Sequence, residues 1–235
     1  MTFFRACGLA LGISTLTGCA SYLGAVADTV TSAIKSPPLN DGSKLSPLFQ
    51  HLRVTVQGRV IFMALGDTDA HPDGPIEVYY SSGLEVLRLQ KGHVVGAIGT
   101  LTEWRNVSIA AAPSWRDSRD KPPVTWQRVR DVMPGYRYGV RDHLVRTVIT
   151  PLALPALPGL KLEGLTWFEE RLQAPIAPNS RARPVNAEPS PETLPPARYA
   201  VEFGSSNEQV MYGEHCFSQK LCLTWQRFVP PQSAK

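Results

Sequence analysis

The chain beyond residue 44 consists of short apolar runs that are separated by glycine-rich turns. Residues 52–56 alternate apolar and polar side chains, and residues 60–66 form a second apolar run after a three-residue turn. Two such runs joined by a short turn are typical of a β-hairpin. Further strands are predicted in the same way at 76–81, 85–90, 94–98, 104–110, 126–133, 143–150, 165–172, 199–204, 209–215 and 223–229. Because consecutive hairpins place sequential strands side by side, the pattern predicts an all-β, mostly antiparallel meander that closes as a barrel or folds over as a sandwich.

A proline-rich stretch interrupts this pattern. Residues 173–198 carry seven prolines in 26 positions, and their apolar content is too low to offset the cost of ordering. We interpret the stretch as a loop insertion within one β-domain that spans residues 45–229 and ends in a tail at 230–235. If it were instead a linker between domains, the 37 residues after it would be too few to build a core of their own.

The N-terminus has the pattern of an export signal. Arg5 is followed by an uncharged, largely apolar stretch at 6–17, which is too short to span a bilayer. The sequence Leu-Thr-Gly-Cys that ends at Cys19 resembles the lipobox of bacterial lipoproteins. The resemblance implies a signal peptide at 1–18, diacylglyceryl transfer to the thiol of Cys19 and acylation of the new amino terminus, which together make a stable anchor. An ordinary secretory signal with an incidental cysteine is the alternative.

The segment after the predicted anchor is expected to be a lipidated tether at residues 19–44. It is either a short amphipathic helix near the lipid head groups or a flexible linker. Ala20 follows the cysteine, whereas an aspartate there would favour inner-membrane retention in enteric bacteria. By analogy, we expect the protein to be anchored in the outer membrane and to face the periplasm.

The charge composition excludes one class of partner. The formal net charge is +4, and it falls to about +3 when the predicted signal peptide with Arg5 is removed. Proteins that bind nucleic acids carry a stronger and more clustered basic excess. We therefore predict no nucleic-acid partner.

Two of the other three cysteines are expected to form a disulfide. Cys7 lies in the predicted signal peptide, whereas Cys216 and Cys222 remain in an oxidising compartment with five residues between them. This spacing suits a bridge across the end of a β-hairpin. A metal site that uses His215 and both thiolates, or a redox pair, is the alternative, although the spacing matches no common zinc or redox motif.

No segment shows a recognisable catalytic or metal-binding pattern. Residues 66–74 alternate acids with a histidine, but they lack either the glycine or the final glutamate of a calcium loop. Asp131, Asp142 and His143 are available for acid–base chemistry, but no nucleophile motif accompanies them. We predict no catalytic residue, no metal and no cofactor.

An aromatic and cationic surface is the candidate binding feature. Trp104 stands between Glu103 and Arg105, and Tyr136 and Arg141 follow a Pro-Gly turn. We take Trp104, Arg105, Tyr136 and Arg141 as the candidate surface for a polysaccharide or a protein partner. The alternative for Trp104 is a core position beside an exposed ion pair, and Trp115, Trp126 and Trp167 are expected in the core or on a sheet face.

Residues 52–170 resemble the YjbF/GfcB family of lipoproteins, which are encoded with group 4 capsule and exopolysaccharide production genes. The resemblance rests on Leu-Gly at 65–66, on residues 78–95, on residues 99–104 and on Asp-Val-Met-Pro-Gly-Tyr at 131–136. It implies an all-β, mostly antiparallel fold and a non-catalytic part in polysaccharide assembly or export, with the exopolysaccharide and export-machinery proteins as partners. A polysaccharide hydrolase or lyase, or a lipoprotein that docks on an outer-membrane barrel through its sheet edge, is the alternative.

Overall fold

The computed structural model describes residue 42 and residues 45–110, 112–151, 157–173 and 193–230. The predicted signal peptide, Cys19, nearly all of the tether, residues 174–192 of the proline-rich stretch and residues 231–235 of the tail lie outside these ranges. Across the described ranges, no helix is long and apolar enough to cross a bilayer.

The structure is a closed barrel of twelve antiparallel strands. The strands are His51–Val56 (β1), Arg59–Asp69 (β2), Ile76–Ser81 (β3), Val86–Gln90 (β4), His93–Ile98 (β5), Glu103–Ser108 (β6), Val124–Met133 (β7), Arg137–Ile149 (β8), Thr166–Leu172 (β9), Ala197–Phe203 (β10), Glu208–Ser218 (β11) and Leu221–Phe228 (β12). Each strand pairs with its sequence neighbours, and β1 pairs with β12 to close the ring. The predicted all-β meander is confirmed, and it forms a barrel rather than a sandwich.

Closure removes one of the expected modes of docking. Each of the twelve described strands has a hydrogen-bonded neighbour on both sides, so none is an edge strand. The docking through a sheet edge that the sequence allowed therefore lacks the edge that it requires.

Every predicted strand overlaps an observed one, but several boundaries differ, and two of the differences have a clear reason. β8 begins at Arg137, six residues before the predicted run at 143–150, because its first half carries exposed polar side chains and lacks apolar alternation. The proline-rich insertion ends earlier than predicted, since Ala197 and Arg198 already belong to β10.

A short helix, Trp115–Asp120 (α1), lies between β6 and β7 and was not predicted. The hydroxyl of Ser114 caps it by accepting the N–H of Asp117 at 3.0 Å. Its first two N–H groups donate to the carboxylate of Glu208 at 2.9 and 2.8 Å. Six residues are too few to produce a helical periodicity in the sequence, which explains why the pattern gave no sign of α1.

The two ends of the barrel differ. In an antiparallel meander alternate turns share an end, so the β1–β2, β3–β4, β5–β6, β7–β8 and β11–β12 turns lie together at what we call the pocket end. The opposite end, which we call the helix end, is covered by α1. There the indole N–H of Trp115 donates to the carbonyl of Lys91 at 2.9 Å, and the ring is almost completely buried.

The interior is mainly apolar, but it also holds charged side chains. Inward positions along β7 alternate with outward ones and belong to Trp126, Arg128, Arg130 and Val132, all of which are buried. On the outside of the barrel, Trp167 packs with Tyr212 beneath leucines of the β8–β9 connection. The expected core or sheet-face positions of Trp115, Trp126 and Trp167 are thus confirmed.

Candidate functional site

Three of the four predicted surface residues are exposed near the β7–β8 turn at the pocket end. Tyr136 is 75% exposed, and the side chains of Arg105 and Arg141 also face solvent. Tyr138, which sequence reasoning missed, is 65% exposed and follows Tyr136 by two residues. Its position just after the Pro-Gly turn was the signal that could have identified it, since residues next to a turn are commonly exposed.

The prediction that Trp104 belongs to this surface is wrong. Trp104 has no exposed surface, and its indole N–H donates to the carbonyl of Phe217 at 3.2 Å inside the barrel. The guanidinium carbons of Arg128 and Arg130 lie 4.5 and 4.7 Å from the centre of its ring. The physical reason is the alternation of β6, which points Trp104 inward while its charged neighbours remain outside.

The neighbours of Trp104 form the exposed ion pair that the alternative interpretation expected. Nε of Arg105 donates to Oε2 of Glu103 at 2.7 Å, and the backbone N–H of Gly99 donates to Oε1 at 2.9 Å. The Gly99 bond and then the Arg105 pair lower the pKa of Glu103, and the same pair raises the pKa of Arg105. Glu103 thereby fixes the Arg105 guanidinium on the outside of β6.

The β7–β8 turn that carries Tyr136 and leads into Tyr138 is held in place by local bonds. The peptide between Met133 and Pro134 is cis, and both Gly135 and Tyr136 have positive φ angles, of 101° and 51°. Oδ1 of Asp131 accepts the backbone N–H of Gly139 at 2.8 Å across the turn. We define the aromatic-cationic surface as Arg105, Tyr136, Tyr138 and Arg141.

The densest charged cluster lies inside the barrel. Asp142 on β8 accepts hydrogen bonds from Arg128 at 2.6 Å and from Arg130 at 2.7 Å, and all three side chains are buried. Burial raises the pKa of Asp142, but the two guanidinium groups outweigh it and hold the pKa below its usual range. The carboxylate is therefore ionised and occupied by two arginines, away from solvent.

A second buried cluster lies towards the helix end. Nε of Arg146 donates to Glu170 at 2.7 Å, and its Nη1 donates to the hydroxyl of Ser118 on α1 at 2.8 Å. The guanidinium carbon lies 3.9 Å from the centre of the Trp115 ring, which places it in a cation–π contact. Arg146 therefore ties β8 and β9 to the helix that covers this end.

His93 completes this second cluster as a neutral imidazole. Its ring stacks on Trp115 with centroids 4.8 Å apart. Burial, followed by the charge of Arg146, lowers the pKa of His93 well below 6.5. Because the ring is neutral, its Nε2 accepts the Nη2–H of Arg146 at 2.9 Å.

The predicted disulfide is present. Cys216 and Cys222 form a bridge between directly paired residues of β11 and β12, with Cα atoms 3.9 Å apart. The thiolates are therefore not free to bind a metal with His215, whose pKa is also lowered well below 6.5 by burial and by Arg128 and Arg130. In the part of the chain that the structure describes, no three His, Cys, Asp or Glu side chains group closely enough to hold a metal ion.

The remaining polar segments singled out in the sequence are engaged locally. Asp69, at the end of β2, pairs with Arg88 at 2.5 Å. His71 lies 3.0 Å from the amide of Gln90 through Nδ1. His143 is exposed on β8 and lies 3.3 Å from the amide of Gln127. These contacts join neighbouring strands and do not converge on a common centre.

A comparison with solved structures found a similar fold in a hypothetical lipoprotein. The hypothetical lipoprotein YmcC from Escherichia coli aligns with a TM-score of 0.53 at 13% sequence identity, over 88% of this chain and 96% of YmcC. At this identity the likeness concerns the fold alone. A scan against protein-family models gave no match, and a search of curated proteins gave no match either.

Proposed function

We propose that this chain is a lipoprotein anchored in the outer membrane and facing the periplasm, and that it assists capsule or exopolysaccharide assembly or export without catalysis. It does so by holding the polymer on the aromatic-cationic surface, or by presenting that surface to the export machinery. The export signal with its lipobox-like Cys19 supports the anchor, and the fold shared with a protein described as a lipoprotein agrees with it. The resemblance to the YjbF/GfcB family supports the link to polysaccharide.

The observation that carries the polymer-binding role is the exposure of two tyrosines, one in the β7–β8 turn and one at the start of β8, flanked by arginines of β6 and β8. Tyr136 and Tyr138 are largely exposed although each has a ring that could be buried elsewhere. Aromatic rings pack against the apolar faces of sugar rings, and guanidinium groups bind carboxylates with two parallel hydrogen bonds. Arg105 and Arg141 therefore fit an acidic polysaccharide better than a neutral one.

The carboxylates near this surface support a non-catalytic role. A glycosidase needs two carboxyl groups that face a cleft. Asp131 is bonded to the backbone of Gly139, Glu103 is paired with Arg105, and Asp142 lies inside the barrel in ion pairs with arginines. The carboxylates described here are thus engaged in holding the fold.

The proposal is tested by measuring the binding of purified acidic and neutral exopolysaccharides to the full chain. Replacing both tyrosines, Tyr136→Ser with Tyr138→Ser, should weaken binding of the acidic polymer at least tenfold, and Arg141→Gln should reduce its dependence on salt. Tyr80→Ser is the matched control, because Tyr80 is also exposed but lies on β3, outside this surface. Equal losses in the control and the double variant would contradict the assignment.

The cellular role and the anchor have their own tests. A clean deletion of the gene should reduce surface polysaccharide, and the double tyrosine variant should fail to restore it. An unchanged capsule after the deletion would refute the proposed role. Cys19→Ser should abolish metabolic labelling with a lipid precursor, and a labelled Cys19→Ser protein would refute the anchor.

A further inference from the structure

An apolar cavity of about 200 Å³ opens at the pocket end of the barrel. Most of its wall consists of apolar side chains from the inner faces of several strands, among them Val54, Met63, Leu87, Ala97 and Leu223. All five of these side chains are buried. The cavity does not involve the tyrosines or arginines of the aromatic-cationic surface.

Large apolar side chains also stand exposed around the mouth of this cavity. Leu101, in the β5–β6 turn, lines the cavity and is 79% exposed. Leu84, in the adjacent β3–β4 turn, is 86% exposed and has a φ of 70°. Leucine rarely adopts this left-handed conformation, so its position costs energy that no packing within the described part of the fold recovers. Exposed leucines at the mouth of an apolar cavity indicate that something apolar covers them.

The chemistry of the cavity selects its ligand. An aliphatic lining offers no partners for the hydroxyl groups of a sugar, which would lose their bonds to water on entry. A cavity of about 150 Å³ that is lined by aliphatic and aromatic side chains binds a molecule as small as benzene. A cavity of this size has room for part of a single narrow chain, but it is too small for a peptide helix about 10 Å across.

The length of the polypeptide that precedes the barrel agrees with a lipid as the source of the aliphatic chain. Gln57, Glu85 and Thr100 also line the cavity, so polar groups are available where a head group would emerge. Residues 20–41 separate Cys19 from Gly42, and such a segment spans at most about 80 Å when extended. The proposed anchor therefore keeps the barrel within reach of a bilayer. This last step rests on the proposed function, whereas the cavity chemistry does not.

We propose that the pocket end binds one aliphatic chain of a lipid. The chain enters the barrel between Leu84 and Leu101, and the head group stays outside beside Gln57 and Thr100. Burying each further methylene group should tighten binding about fourfold until the cavity is filled.

The test uses the full chain with Cys19→Ser, so that no acyl group of its own competes, and measures the affinity for saturated fatty acids of increasing length below their micelle concentrations. Ala97→Leu adds a side chain to the cavity wall and should weaken binding at least tenfold. Leu101→Ser, at an exposed position, should weaken binding about fourfold. Leu48→Ser is the matched control, since Leu48 is equally exposed but precedes β1 at the opposite end.

Circular dichroism and urea midpoints establish that each variant is folded. Affinity that rises with chain length and falls in Ala97→Leu and Leu101→Ser, but not in Leu48→Ser, would support the proposal. Absence of binding, or binding that none of these variants changes, would overturn it. Tyr136→Ser should leave fatty-acid affinity unchanged, so a failure of this proposal is distinguishable from a failure of polysaccharide binding.

Discussion

The buried carboxylate of Asp142 is the most sensitive point that we identify in the barrel. Asp142→Asn keeps the size and planarity of the side chain but removes the charge that Arg128 and Arg130 share. Both guanidinium groups lie within hydrogen-bond distance of the carboxylate, and neither has more than marginal access to water. The substitution therefore leaves two buried cations without their counter-charge.

The size of the effect follows from these contacts. Removing one partner of a buried ion pair costs about 3–5 kcal/mol, against a total stability of about 5–15 kcal/mol for a typical domain. Here both arginines also lie over the ring of Trp104, at 4.5 and 4.7 Å, and this cation–π contact survives in the variant. We therefore expect the free energy of unfolding to fall by about 3 kcal/mol, the lower limit of that range. In a domain of this size that corresponds to a fall in Tm of about 6–12 °C.

Urea denaturation followed by circular dichroism measures this loss. Asp120→Asn is the matched control, because Asp120 pairs with Arg119 at the same kind of distance, 2.8 Å, but on the exposed surface of α1. The control should leave the midpoint unchanged. Adding Arg130→Met to Asp142→Asn removes one of the two unpaired cations and should restore part of the stability.

If Asp142→Asn lowers the free energy of unfolding no more than Asp120→Asn does, the stabilising role of the buried carboxylate is refuted. It would mean that the two arginines obtain their compensation from water or from Trp104 alone. The same result would remove the main physical reason for placing three charged side chains inside this barrel.

Three further predictions follow from buried or terminal groups. The pKa values of His93 and His215 lie well below 6.5, so the unfolded chain binds up to two more protons at low pH, and the free energy of unfolding should fall by about 3 kcal/mol from pH 7.5 to 5.5 in urea titrations. Reducing the Cys216–Cys222 bridge should lower the free energy of unfolding by about 2 kcal/mol, as measured with and without reductant. Glu208→Gln weakens the bonds to the first N–H groups of α1 and should cost about 1 kcal/mol and speed amide exchange in that helix.

Each of these three predictions has a result that contradicts it. Constant stability between pH 7.5 and 5.5 would show that the two histidines take up protons equally in the folded and the unfolded chain. His215→Gln should halve the pH dependence, which provides an internal check. An unchanged midpoint on reduction would show that pairing of β11 with β12 already restricts the unfolded chain. Unchanged exchange in α1 would assign its stability to the burial of Trp115 instead.

The strands could be predicted from the sequence because alternation and turn residues are local signals. All twelve predicted runs overlap observed strands, since each needs only its own apolar positions and the glycines that flank it. Closure is different, because it depends on the pairing of β1 with β12, between residues such as Leu52 and Arg227. No local pattern encodes that pairing. The sequence therefore could not distinguish a barrel from a sandwich.

The second feature that the sequence could not predict is which face of a strand points into the barrel. In β6 the tryptophan alternates with charged and polar residues, and the sequence alone does not say which of the two faces is buried. Arg128 and Arg130 have the appearance of solvent-facing positions in β7, yet both point inward. Their burial depends on Asp142, which lies directly opposite Arg128 on β8. Of the two exposed tyrosines, Tyr136 was predicted because it lies at a turn, whereas Tyr138 was missed.

The pairing of β1 with β12 places the two ends of the described chain side by side, and this has a consequence for how the protein is made. Until Phe228 is available, β1 lacks one of its partners and β11 has an open edge. Contacts of such long sequence separation form late and fold slowly, and unpaired strand edges promote aggregation. A chain that is truncated before its last strand is therefore expected to be a substrate for proteases and chaperones rather than a partly active protein. Quality control of this molecule depends on its last eight-residue strand.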